Sequence, residues 1–174
     1  FSVEYYRTNF ENQIVVDLDQ SPQQVSFYNL NGESYSNSFQ AQVDYEILKF
    51  VDMRIGYRWF DVNTTYGTTT RQKPLVSAHR AFLNLGYETR TDWKFDYTFN
   101  WQGEKRIPFT GSNPTDYQLQ QKSPDFYLMN VQVSKGWNDR FEVYVGVENL
   151  LNYKQENPIL ASEDPFGDYF DSSL

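Results

Sequence analysis

The strands of this sequence are joined by connections that alternate strictly between short and long, and that alternation limits the fold more than any single segment does. Period-two patterning of apolar and polar residues runs through Phe39 to Tyr45, Met53 to Trp59, Ala81 to Tyr87, Phe95 to Trp101, Tyr127 to Val133 and Phe141 to Val147. A less regular opening segment, Phe1 to Val16, brings the count to about seven strands. The links "EILKFVD", "ETRTDWK" and "KGWNDR" are hairpin-sized. The others, "DLDQSPQQVSFYNLNGESY", "DVNTTYGTTTRQKP", "GEKRIPFTGSNPTDYQLQQKSP" and the tail from Asn152, are long and read as loops. They hold all seven prolines, which cannot donate to a sheet ladder. In an up-and-down meander every short turn then falls at one end and every long loop at the other. Bacterial outer-membrane barrels have this asymmetry. No segment sustains the apolar period of a helix, so the expected fold is all-β.

The two faces of each strand agree. Phe95, Tyr97, Phe99 and Trp101 set large rings side by side, while Asp96, Thr98, Asn100 and Gln102 point the other way. A two-layer core mixes side-chain sizes so that its layers interdigitate. A lipid-facing band needs no such fit, and rings at its ends suit the membrane interface. Aromatic residues make up 18% of the 174 residues. The mean hydropathy of −0.71 excludes helical spans, which need about 20 continuous apolar residues, but leaves a transmembrane barrel open. A net charge of −8 argues against a nucleic-acid partner. With no cysteine and one histidine, the usual nucleophile–base pairings of an enzyme are missing. The chain opens inside a strand pattern, without the basic start and apolar run of a leader. Bacterial single-chain barrels have an even number of strands, so seven reads as a stretch of a larger barrel lacking at least one closing strand.

The segment "VYVGVENLLNYK" (143–154) resembles the penultimate strand of TonB-dependent outer-membrane receptors. "VEYYRTNFENQIVVDLD" (3–19), "NGESYSNSFQAQVDYE" (31–46) and "KPLVSAHRAFLNLGYET" (73–89) are similar to other strands of that family, in the family's order. The resemblance implies a barrel of about 22 strands closed around a plug. Such a receptor sits in the bacterial outer membrane and imports a siderophore, corrinoid, haem or similar large solute with energy from TonB. Residues 1–174 would be the C-terminal part of that barrel, with plug and last strand outside it. The implied partners are outer-membrane lipid, TonB through the N-terminal part, an extracellular small-molecule or chelate ligand and, in some branches, a surface lipoprotein. Two other readings stand beside it: a passive porin-type barrel, and a soluble β-sandwich that binds a ligand through loop aromatics.

Candidate site residues are few. Arg54 and Arg58 share the polar face of one strand, where they would either steer an anionic ligand or pair with acids such as Asp44 and Asp96. Tyr66 and Tyr117 lie in long loops and are candidates for a ligand-binding rim, whereas Trp101 ends a lipid-facing row. The acidic tail carries Glu163, Asp164, Asp168 and Asp171; Asp164 and Asp168 are calcium candidates, although the spacing is not that of an EF-hand. His79 reads as a rim residue rather than a metal or haem ligand. Asp17 and Asp19, one residue apart in a loop, read as solvated surface. No cofactor is expected.

Overall fold

The computed structural model describes residues 1–137, 140–156 and 158–170. It contains β1 (Ser2–Phe10), β2 (Ile14–Ser21), β3 (Gln24–Asn29), β4 (Ser34–Leu48), β5 (Val51–Tyr66), β6 (Thr69–Gln72), β7 (His79–Glu88), β8 (Trp93–Gln102), β9 (Phe126–Trp137) and β10 (Phe141–Val147). One antiparallel sheet runs in the order β1-β4-β5-β7-β8-β9-β10, with β6 folded back on β5. The β2–β3 hairpin stands apart as a second sheet. The only helical element among the described residues is a 3-10 turn, Thr115–Tyr117. Seven strands thus traverse the sheet as a meander, as the alternation requires.

Two expectations need correction. The opening segment is not one strand: it breaks after Phe10, where Asn12 takes a φ of 51°, and β2 leaves the main sheet. Two of the long links are also not plain loops. The first folds as the β2–β3 hairpin, and in the second β5 continues to Tyr66, turns at Gly67 (φ 61°) and pairs with β6. Val, Phe, Tyr and Thr in these links have high strand propensity, and the prolines sit outside the ladders.

Register carries the alternating apolar rows of the seven strands onto one face, with Phe82 and Leu128 as exceptions on the other. Ile55 pairs with Val43 and Leu83, Leu83 with Phe99, and Phe99 with Met129. The adjacent row, Asp44, Arg54, Asn84, Thr98 and Asn130, falls on the opposite face. Pairing of β5 with β7 runs from Val51↔Tyr87 to Trp59↔His79. Those limits match a strand of about 9–11 residues crossing a tilted bilayer span. Rings gather at both limits. At the short-turn end Tyr87 and Trp93 both stack on Phe95, and Trp137 stacks on Phe141. Lys135 lies there with its ammonium 5.8 Å from the Trp93 ring and 5.6 Å from that of Trp137, a basic group reaching for the interface. At the long-loop end, the Trp101 indole donates to Asp125 (2.9 Å), and Tyr57 and His79 share a 2.7 Å hydrogen bond.

The interior is inverted relative to a water-soluble domain. Among the described residues the buried apolar side chains are Val15, Leu30, Leu160 and Ala161, all outside the traversing strands. Buried polar residues are more numerous: Asp17, Asp19, Ser34, Asn37, Thr64, Ser77, Thr110, Asn113 and Ser134. Val43, Ile55, Phe95, Val143 and Val145 are exposed, Val145 at 70%. Among the described residues no second sheet packs on either face of the main one, which does not fit the soluble-sandwich reading. An apolar surface this large is stable against acyl chains and not against water. Strand β10 ends at Val147, the last residue of its alternation. Asn149 turns to a φ of 50°, its side chain accepting from the Tyr153 N–H and donating to the Tyr153 carbonyl, both at 2.9 Å.

Candidate functional site

The long connections at one end of the sheet are locked to one another, and the lock is built on Asp19. Along β2 the buried side is Val15, Asp17 and Asp19, while Ile14 and Val16 face out. Period-two geometry thus places two carboxylates where a core would lie. Both are satisfied. Asp17 accepts from the Asp19 N–H (2.9 Å), the Gln20 amide (3.1 Å) and the Tyr28 hydroxyl (2.6 Å). Asp19 receives a two-pronged bond from Arg106, Nη1 to Oδ1 at 2.8 Å and Nη2 to Oδ2 at 2.9 Å, and a third from the Phe109 N–H at 2.9 Å. Arg71 adds a weaker ion pair at 3.6 Å. The expectation that these two acids are solvated surface is therefore wrong: they lie 4% and 8% exposed.

Arg106 does more than neutralise Asp19. Its Nε donates to the Gln72 carbonyl at 2.6 Å, so one guanidinium joins β2, β6 and the β8–β9 connection. A second tie runs from the Gln23 amide to Asn113 (2.8 Å). The β8–β9 connection is ordered by its own bonds: Thr110 Oγ1 accepts from the Leu119 N–H, and the Gln118 amide donates to the Asn113 carbonyl. Burial raises the cost of charge on Asp19, but the Arg106 and Phe109 hydrogen bonds and the charges of Arg106 and Arg71 outweigh it. Its carboxyl is held below the ordinary aspartate value.

Around this lock lies a cavity of about 350 Å³ whose lining includes Arg71, Arg106, Pro108, Phe109, Leu119 and Gln121. Asp19 shares the lining, so two guanidiniums face one carboxylate beside the apolar Pro108, Phe109 and Leu119, a mix that suits a ligand with an apolar body and a negative group.

The structure disperses the residues singled out from sequence. Tyr66 is half-buried near the lock, where burial and the charges of Asp17 and Asp19 push its phenol pKa up. Tyr117 stacks on Tyr169 with ring centres 4.8 Å apart, joining the β8–β9 connection to the tail. Neither tyrosine lines the cavity. Arg54 pairs with Asp44 directly opposite it on β4. Arg58 lies over the Phe60 ring (4.6 Å) and makes no ion pair among the described residues. Asp164 and Asp168 belong to no group of three or more His, Asp and Glu able to hold a metal among the described residues. Asp171 lies outside the described residues. Arg71 and Arg106 carry no signal in the sequence, and Asp19 reads there as solvated surface, because their contacts span three loops. Arg80 was legible, since extending the alternation of β7 back from Phe82 puts it on the face of Arg58.

The family model for the TonB dependent receptor-like β-barrel matches residues 1–150. Among solved structures the fold is similar to the ferric-catecholate import receptor Fiu from Escherichia coli K12 in its closed form. The TM-score is 0.62 at 14% identity, over 87% of this chain and 20% of that one. The likeness shows the fold, and the chain spans about a fifth of that receptor's length. No curated protein matches the chain in sequence.

Proposed function

We propose that this chain, which belongs to the TonB-dependent receptor β-barrel family and so lies in the bacterial outer membrane, is the C-terminal part of a barrel that captures a scarce large solute and imports it with energy from TonB. The observation that carries this reading is the pairing of a two-faced, seven-strand wall with long connections interlocked at one end only. A wall of this kind separates lipid from a wet interior, and a locked loop cluster gives the outer end a defined surface for a ligand.

Strands β1 and β10 have no neighbour on their outer sides within the described residues. In lipid each unpaired backbone group costs several kcal/mol, which supports further strands closing the barrel. The cargo class that fits best is an anionic metal chelate. Arg71 and Arg106 against the single carboxylate of Asp19 leave the loop cavity with a net positive charge, and the structurally similar Fiu is a ferric-catecholate receptor. No catalytic step belongs to this reading. The passive-porin alternative finds no support in the family match.

The test is uptake by the intact receptor in cells lacking other iron-chelate receptors, with and without TonB. Accumulation of an anionic ferric chelate only when TonB is present is the expected result. Equal flux without TonB would reject energised import in favour of a passive pore.

A further inference from the structure

Strand β5 carries two arginines on the interior face, and the sheet treats them differently. Arg54 has Asp44 directly opposite on β4 and is paired with it. Arg58, two rows further along the same face, has Gln40 opposite on β4 and Arg80 opposite on β7. Beyond Arg80 the row continues to Gln102 on β8. Two like charges therefore face each other across a strand pair, an arrangement that works against the sheet. Neither is in a salt bridge among the described residues.

The row begins with Glu4 on β1, opposite Gln40, and among the described residues Glu4 makes no ion pair with either arginine. In the row below, Gln42, Gly56, Phe82 and Asn100 are paired in register. The Phe82 ring closes on Gly56, where an added Cβ would stand 2.3 Å from its edge atom Cε1. On the other side Arg58 rests on Phe60. Arg58 and Arg80 line one cavity of about 80 Å³ with Phe60, Val76 and Ser77. That space holds one oxyanionic group rather than a whole solute. Two guanidiniums, flanked by the amides of Gln40 and Gln102 and by two phenyl rings, offer planar donor pairs to a carboxylate, phosphate or catecholate.

We propose that Arg58 and Arg80 form an oxyanion-binding site on the interior wall, below the loop cluster, that takes the negative group of a solute passing through. The site rests on the receptor reading of the barrel, because it needs the polar face to border the transport path. Arg54, already neutralised by Asp44, is its internal control.

The experiment is arginine modification by phenylglyoxal on the intact receptor in detergent, read residue by residue by mass spectrometry, with citrate or inorganic pyrophosphate as the protecting anion. Modification of Arg58 and Arg80 is expected to slow roughly threefold or more with either anion, as bidentate oxyanion contacts cover the guanidinium. Arg54 should change little. The Arg80→Gln variant should remove the protection of Arg58, because one guanidinium alone holds the anion weakly. Reactive arginines that neither anion protects would overturn the proposal. So would arginines that resist modification without any added anion, since a protein carboxylate would then occupy the site. Neither failure depends on transport, so TonB-dependent uptake can still succeed while this site is rejected.

Discussion

Arg106 grips Asp19 across 87 residues of sequence, both guanidinium nitrogens lying 2.8–2.9 Å from the two carboxylate oxygens. The Asp19 side chain is 3% exposed and that of Arg106 20%, so the pair is shielded from the water and salt that weaken surface ion pairs. Arg106 also holds the Gln72 carbonyl. Two fixed contacts on one side chain turn separate loops into one body, and a ligand-binding surface built from loops needs that rigidity.

Breaking the pair should loosen the loops without unfolding the wall. Asp19→Asn leaves a charged donor facing a neutral acceptor and is expected to cost about 1.5–3 kcal/mol of local stability. Hydrogen exchange of β2 and of residues 106–109 in the intact receptor should quicken roughly tenfold or more, with β7–β9 unchanged. Arg106→Lys keeps the charge but loses the two-pronged fit, and should fall between the parent and Asp19→Asn.

The same pair sets a pH window. Its folded-state pKa is lowered, so Asp19 contributes stability that is present above the unfolded value and lost as pH falls through the folded one. The distance between spin labels at Ser21→Cys and Ser112→Cys should stay narrow from pH 8 to 5. It should broaden only below about pH 4, where aspartate protonates. Broadening near pH 6 would mean that another group controls the loops.

Gly56 marks a close approach within the wall. Its missing Cβ leaves room for the Phe82 ring, so Gly56→Ala forces that ring aside at about 1–3 kcal/mol. The heat needed to unfold the barrel, read by gel mobility, should fall in Gly56→Ala. It should recover in part when Phe82→Ala is added.

Much of the wall was legible because it depends on local periodicity. Ile55, Leu83, Phe99 and Met129 lie in one row because each strand alternates and each short turn fixes its register. The end of β10 at Val147 was legible for the same reason. The loops were not. In β2, alternation puts Asp17 and Asp19 on the buried side and Ile14 and Val16 outside, the reverse of what hydropathy suggests, and the reason is a remote arginine. Tyr66 and Tyr117 were chosen for residue type. The structure places one beside the buried acids and the other against Tyr169, contacts that no spacing encodes.

The two-faced wall is open to a direct trial, since these 174 residues contain no cysteine and single labels are clean within them. Spin labels would be placed one at a time at Ile55, Leu83, Phe99 and Met129, and at Arg54, Asn84, Thr98 and Asn130, in the intact receptor reconstituted into bilayers. Collisional relaxation by oxygen dissolved in the lipid should be strong at all four positions of the first row and weak at all four of the second. Strong lipid exposure at Thr98 and Asn84, or none at Phe99 and Leu83, would contradict the account.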